Sequence, residues 1–445
     1  MDTALQAGDV LQGRYEIRRP LRAAPGKTVY LAHDRDLDCE VALDVFSDNA
    51  AIMPGGLPVH AWEAKVLGRL GDHPNIATVL NHWDDGDTAV MVTRYLPGGS
   101  LCDLVARAKD SGGDLPVPDI LRISLEIAHG LAHIHKRRIL YLDLQPRNVL
   151  FDEWGTVRLV DFDTAVLVDQ AQRIDLSDRP GVEYLAPELT DGKDPDERSD
   201  LYSLGATIYE MAAGHAPFTG TPEEILAARR AAPPSPERTD LPGALRDLIL
   251  SLLALQPDHR PASAAEVGKR LDDLRTAREE IEWLLASDES ARLEFKSSLR
   301  VPLGPPPPGS KKTAKELERD LEFEVLKTLA AFLNTDGGTL IIGVADDGTV
   351  VGIEVDFPRV RQSRDGWRKT FDNLVSRDLG AEVMKCIDLQ LEPWEGHTIA
   401  VIRCTPRKEP TWIGDDLYVR RTASTENLSA RHAVAWWRER WAKSP

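Results

Sequence analysis

Apolar and polar residues alternate in short runs through the first hundred positions. TVYLAHD (28–34), EVALDVF (40–46) and TAVMVTRYL (88–96) each carry the period-two pattern of a strand, and HAWEAKVLGRL (60–70) interrupts them with helical spacing. Residues 10–96 therefore predict a small, strand-rich lobe. From residue 97 the period changes. ILRISLEIAHGLAHIHKRR sets apolar side chains three and four apart, and SDLYSLGATIYEMAAG does the same behind Ser199, a residue suited to capping, so 97–275 predict a mainly helical lobe. RTAREEIEWLLASDES carries a charged amphipathic helix on to residue 285.

Beyond it the alternation returns. LEFKSSL places Leu293 and Phe295 inward and Glu294 and Lys296 outward, and FLNTDGGTLIIGV reads as a helix end, a turn with positive φ at Gly337 and Gly338, and a buried strand. DDG at 346–348 marks a hairpin, and AVAWWRERW a packed helix. The four consecutive prolines of VPLGPPPPGSKK can join neither a helix nor a central strand, which predicts a surface loop inside this region. The expected class is α+β. A two-lobed domain, 1–285, is followed by a smaller α/β domain, 286–445.

Composition sharpens this picture in three ways. The net charge of −18 is uneven: residues 1–285 hold 30 Lys and Arg against 47 Asp and Glu, and residues 286–445 hold 24 against 25. An acidic body repels nucleic acid, so any nucleic-acid contact is expected in the near-neutral second domain. The four cysteines lie far apart without a C-x-x-C pair, which points to ordinary thiols. No basic leader and no apolar run of about 18 to 20 residues is present, so the expected location is the cytoplasm, with no membrane partner.

Several spaced motifs give residues 14–270 a specific resemblance. Asp143 and Asn148 in YLDLQPRNVL, Asp161 in VDFD, the triplet Ala186, Pro187 and Glu188, Asp200 in SDLYSLG and Arg260 in QPDHRP stand in the order of a bacterial-type Ser/Thr protein kinase. The resemblance implies ATP and magnesium as cofactors. It places Asp143 at the substrate hydroxyl, Asn148 and Asp161 on metal, and Ala42, Thr93, Tyr95 and Leu150 on the nucleotide. It makes Asp200 an anchor of the catalytic-loop backbone, Glu188 and Arg260 an ion pair, and Leu67, Tyr141 and Phe162 parts of an apolar spine.

The departures from that family are equally specific. Tyr141 and Leu142 replace His-Arg, Gln145 replaces a lysine that faces the γ-phosphate, Val182 replaces a threonine beside it, and Asp163 replaces the glycine of Asp-Phe-Gly. Against the loop pattern G-x-G-x-x-G-x-V the chain reads RAAPGKTV from residue 22, with Arg22, Ala24 and Lys27 at the glycine positions and Pro25 removing an amide donor. GKT is not a Walker A motif, since no glycine stands five residues before Gly26. VALDVF puts Asp44 where the family's phosphate-binding lysine belongs.

KTVY at 27–30 resembles the With-no-lysine kinases, in which that lysine has moved to the second strand. On this reading Lys27 holds the phosphates and Glu63, in WEAKVL, pairs with it. On the plainer reading Lys27 is a solvated strand-end lysine and Asp44 pairs with a neighbour such as Arg22.

ESARLEFKSSLR, LKTLAAFLNTDGGTLIIGVADDGTVVGI and DLYVRRTASTENLS resemble, in that order, the Schlafen AlbA_2-type domain. The resemblance implies nucleic-acid binding, with Lys296, Arg300, Lys311, Lys312, Arg420 and Arg421 as the candidate surface. It also raises metal-dependent RNA cleavage by Glu289 and Glu294 with Asp346 or Asp347. The expected function is a regulatory or sensing module, atypical or inactive as a kinase, coupled to a nucleic-acid-facing domain and to a protein substrate or regulator. The alternatives are an active unconventional Ser/Thr kinase using Lys27 and a Schlafen-type ribonuclease.

Overall fold

The computed structural model describes residues 5–24, 26–46, 57–84, 89–171, 176, 180–231, 233–303 and 312–441; Pro25, the proline run and Lys311 lie outside them. The chain divides into two compact units, Met1–Arg238 with Ala244–Thr276, and Thr239–Gly243 with Ala277–Pro445.

In the first unit the alternating runs form one antiparallel sheet. Its strands β1 (Val10–Leu11), β2 (Tyr15–Ala24), β3 (Lys27–Asp34), β4 (Cys39–Phe46), β5 (Val79–Asp84) and β6 (Ala89–Arg94) lie in the order β1-β2-β3-β4-β6-β5. Irregularities at Ile17/Arg19 and Pro20/Arg22 raise the local twist of β2, and Tyr15, Ile17, Tyr30, Val41, Leu43 and Val92 fill its core. Between β4 and β5 runs α1 (Val59–Leu70), which buries Glu63 together with Val66, Leu67 and Leu70.

The helical lobe follows. Ser100 and Asp103 close a reciprocal capping box on α2 (Leu101–Asp110), and α3 (Val117–Lys136) buries a continuous apolar face. The short strands β7 (Ile139–Leu140), β8 (Val149–Phe151), β9 (Val157–Leu159) and β10 (Val166–Leu167) frame the loops that carry Asp143 and Asp161. Then come α4 (Pro187–Thr190), α5 (Glu197–Ala213), α6 (Pro222–Ala228) and α7 (Gly243–Leu252). The cap of α5 is Asp196, whose side chain accepts from the Arg198 amide; Ser199 lies inside the first turn and donates to Glu188 at 2.7 Å.

Helix α8 (Ala264–Leu285) leads the chain into the second unit, to which the stretch from Ala277 onward belongs. The physical reason is a sheet face that needs cover. Ile281 and Leu284 pack with Leu293, Phe295, Ile341 and Trp394. That sheet runs β11-β12-β14-β13, from β11 (Leu293–Lys296), β12 (Gly338–Ile342), β13 (Ile387–Trp394) and β14 (His397–Cys404), with β11 parallel to β12 and the other pairs antiparallel. Helices α9 (Ala314–Asn334) and α10 (Arg364–Asp378) contribute the other core, and β15 (Trp412–Ile413), β16 (Asp416–Arg421) and β17 (Ser424–Leu428) form a second sheet before α11 (Ala430–Trp441).

Gly337 has the expected left-handed backbone, φ 76°. Gly338 does not; it starts β12, and a Cβ there would come within 2.6 Å of the Phe332 ring. Glu294 departs from its expected solvent-facing place: it is 8% exposed because Arg420 meets it on the sheet. Among the described residues no helix is long and apolar enough to cross a membrane.

Candidate functional site

The register of the first sheet decides what Lys27 can reach. Val29 on β3 stands opposite Asp44 on β4, and Lys27 lies two residues before Val29, so Lys27 and Asp44 project from one face of the sheet. A cation at either position enters the same space. Lys27 Nζ lies 2.9 Å from Asp161, 3.4 Å from Glu63 and 3.5 Å from Asp44. Glu63, 1% exposed, also accepts from the Phe162 amide at 2.9 Å, which ties α1 to the loop bearing Asp161.

Three carboxylates and one ammonium in a buried place perturb each other. Burial pulls the Lys27 ammonium down, but Glu63, Asp44 and Asp161 outweigh it, and the lysine stays charged well above its ordinary range. Burial raises Asp44 and pushes Glu63 up to about 8, in both cases against the pull of Lys27. The sign for stability follows. A carboxyl whose folded value lies above its ordinary 4.5 holds a proton in the folded state where the unfolded chain is ionised. Its stabilising contribution is full below the ordinary value and is lost as the pH rises toward 8. The melting temperature of the first unit is expected to fall by a few degrees from pH 6 to pH 8, and Glu63→Gln to flatten that slope; an equal slope in the variant would contradict the assignment.

A cavity of about 430 Å³ opens beside this cluster and is lined by Lys27, Glu63 and Asp161 and by Ala42, Thr93, Tyr95 and Leu150. Its volume suits a nucleotide-sized ligand. Asp143 and Asn148 do not line it. They are joined to each other, Asn148 Nδ2 to Asp143 at 2.7 Å, on a loop held from below by Asp200. Asp200 accepts from the amides of Tyr141 at 2.9 Å and Leu142 at 2.7 Å, and Leu142 is thereby kept in the left-handed region, φ 62°. Asn148 Oδ1 is buried and accepts no hydrogen bond among the described residues. An oxygen without a donor, close to aspartates, fits a hard cation such as magnesium.

The replaced positions have distinct consequences. Gln145 donates to Asp143 Oδ1 at 2.5 Å and packs on Gly181, where a Cβ would come within 2.5 Å of its Oε1. Asp143 is thus engaged by a neutral amide. Val182 is buried, and Asp163 needs no left-handed backbone. Glu188 and Arg260 pair at 2.7 and 2.9 Å, the rings of Tyr141 and Phe162 lie 4.8 Å apart, and Leu67 is buried.

Sequence reasoning missed Arg147 on the cavity wall. Arg22 NH1 sits 3.8 Å from Asp161, and its charge also favours the ionised form of Asp44.

In the second unit the candidate surfaces separate. Arg420 is 7% exposed, bonded to Glu294 at 2.6 Å and to the Ser290 carbonyl at 2.8 Å, and lies over the Phe332 ring, so it is a structural cation and not a phosphate contact. Lys296 also pairs with Glu294, Lys312 with Asp320 and exposed Arg421 with Glu426, while Arg300 meets Glu322 and Glu318. The three-carboxylate arrangement does not form. Glu294 is taken by Arg420, Glu289 accepts from the Phe295 amide at 2.8 Å, and Asp347 accepts from the Thr349 amide in the hairpin turn that also contains Asp346. Among the described residues no group of three His, Cys, Asp or Glu side chains is placed to hold a metal ion.

Residues 26–270 match the family model of the protein kinase domain, and residues 289–429 match that of Schlafen, AlbA_2. Among curated proteins the chain is 31% identical over 314 residues to the serine/threonine-protein kinase pkn2 of Myxococcus xanthus, covering 68% of this chain and 35% of that protein. It is 30% identical over 275 residues to the serine/threonine-protein kinase PrkC of Bacillus subtilis, covering 61% and 41%. It is 33% identical over 272 residues to the DNA damage-responsive serine/threonine-protein kinase RqkA of Deinococcus radiodurans, covering 59% and 39%. The aligned stretch is thus well under half the length of each of these relatives.

Proposed function

The chain belongs to the protein kinase family, and from that premise we propose that its first unit binds magnesium-ATP through Lys27 and works as a nucleotide-responsive regulatory module in which phosphoryl transfer is slow. The observation that carries this reading is Lys27 Nζ at 2.9 Å from Asp161 and 3.4 Å from Glu63, beside a nucleotide-sized cavity. Lys27 is the cation aimed at the phosphates. Glu63 holds it there, and Ala42, Thr93, Tyr95 and Leu150 form the walls for the base and sugar. Asn148 and Asp161 are the residues that would hold magnesium, which when bound neutralises phosphate charge.

Slowness follows from two replaced positions. Gln145 brings no charge to the transferring group, and Val182 no hydroxyl, so two stabilising contacts of the transition state are lacking. We assign the second unit the output role, supported by its near-neutral charge beside an acidic first domain and its likeness to Schlafen, AlbA_2. The test is transfer from γ-labelled ATP to the chain itself and to a generic Ser/Thr protein. Gln145→Lys with Val182→Thr is expected to raise the rate about tenfold or more, roughly what two such contacts contribute. A wild-type chain that binds ATP and already transfers as fast as the double variant would overturn the regulatory reading.

A further inference from the structure

Helix α10 buries Trp367, Phe371, Leu374 and Val375 and turns Lys369, Asn373 and Arg377, spaced four apart, along another face with Thr370 beside them. Two more cations face that stripe. Arg300 comes from the turn after β11 and Arg361 from the turn before α10, and together these six residues line a cavity of about 480 Å³ whose lining contains four cations and no carboxylate.

Both walls hang on one buried group. Asp356, fully buried, accepts from the amides of Leu299, Arg300 and Val301 at 2.8, 2.8 and 3.0 Å and from the Trp367 indole at 2.9 Å. The first three donors fix the turn that presents Arg300; the fourth fixes α10. The cavity is therefore set before any ligand arrives.

The carboxylates that balance these cations stand outside the lining. Glu322 and Glu318 pair with Arg300, Asp365 with Lys369 and Asp378 with Arg377. Arg361 has no side-chain partner among the described residues, and the Nε of Arg300 is buried without one. Arg361 and Gln362 both take left-handed backbone, φ 37° and 50°, a costly conformation for consecutive non-glycine residues and one that points Arg361 at the cavity.

We propose that this cavity binds a terminal phosphate group, either of a mononucleotide-sized ligand or at the 5′ end of a nucleic-acid strand. A monoester carries about 1.5 to 2 negative charges at pH 7 and three acceptor oxygens, which matches four cations with the Asn373 amide better than a singly charged backbone diester does.

The experiment is calorimetric titration of the full-length chain with inorganic phosphate, with AMP, and with a short single-stranded oligonucleotide bearing a 5′-phosphate or a 5′-hydroxyl. The Lys27→Ala background weakens any phosphate contact in the first unit, and inorganic phosphate and the oligonucleotides, which need no base and sugar walls there, decide the result. Binding of phosphate or AMP that weakens about tenfold in Arg361→Ala, and is lost in Asn373→Asp, supports a small ligand. A preference of about tenfold for the 5′-phosphorylated strand that disappears in the same variants supports a strand end. No binding of any probe, or binding that both variants leave unchanged, overturns the proposal.

Discussion

Lys27→Ala is expected to abolish the thermal stabilisation that magnesium-ATP gives the chain and to weaken nucleotide binding at least a hundredfold. The lysine is the cation at which Glu63, Asp44 and Asp161 converge, so its removal leaves three carboxylates facing the phosphates. Loss of a charge-assisted contact to phosphate costs about 1.5 to 3 kcal/mol. The variant should still fold, since Glu63 and Asp44, already raised by burial, can each take up a proton. Thermal-shift titration with and without magnesium reads the effect. An unchanged shift in the variant would return Lys27 to the role of a strand-end lysine.

Asp356→Asn is expected to destabilise the second unit by about 3 to 5 kcal/mol, because a carboxylate taking four N–H donors becomes an amide that can face only part of them. Two of the donors then lose a buried acceptor, and the new NH₂ group points at those same two. Urea unfolding of the full chain measures the loss. Hydrogen exchange locates it: protection should fall around Arg300 and along α10, while the first unit keeps its pattern. A variant with unchanged unfolding would mean that the walls of the basic cavity do not depend on this carboxylate.

What the sequence made legible was whatever local pattern or a motif of fixed spacing encodes. The strands of the first sheet, the helical lobe, Asp200 beneath the loop of Asp143 and the Glu188 pairing with Arg260 all belong to that class. The meeting of Lys27 with Glu63 was legible too, and the register of β3 and β4 sets position 27 on the same face as position 44.

What pattern does not encode is the partner of a charge across the fold. Arg420 and Glu294 are 126 residues apart and satisfy each other, which turned a candidate nucleic-acid contact and a candidate metal ligand into one buried pair. Arg22 lies within 3.8 Å of Asp161, 139 residues further along the chain. The basic cavity escaped notice for the same reason. Arg300 is separated by a long helix and a sheet from Arg361, Lys369 and Arg377, and nothing in their local sequence says that Asp356 draws them together.

The central claim is that the phosphate-binding charge has moved from position 44 to position 27 and remains functional. Calorimetric titration of magnesium-ATP into the wild type, Lys27→Ala and Lys27→Ala with Asp44→Lys tests it most directly. The account predicts binding in the first, loss in the second and recovery in the third, since a lysine at either position projects from the same sheet face toward Glu63. Equal binding by the wild type and Lys27→Ala, or binding by none of the three, would contradict it.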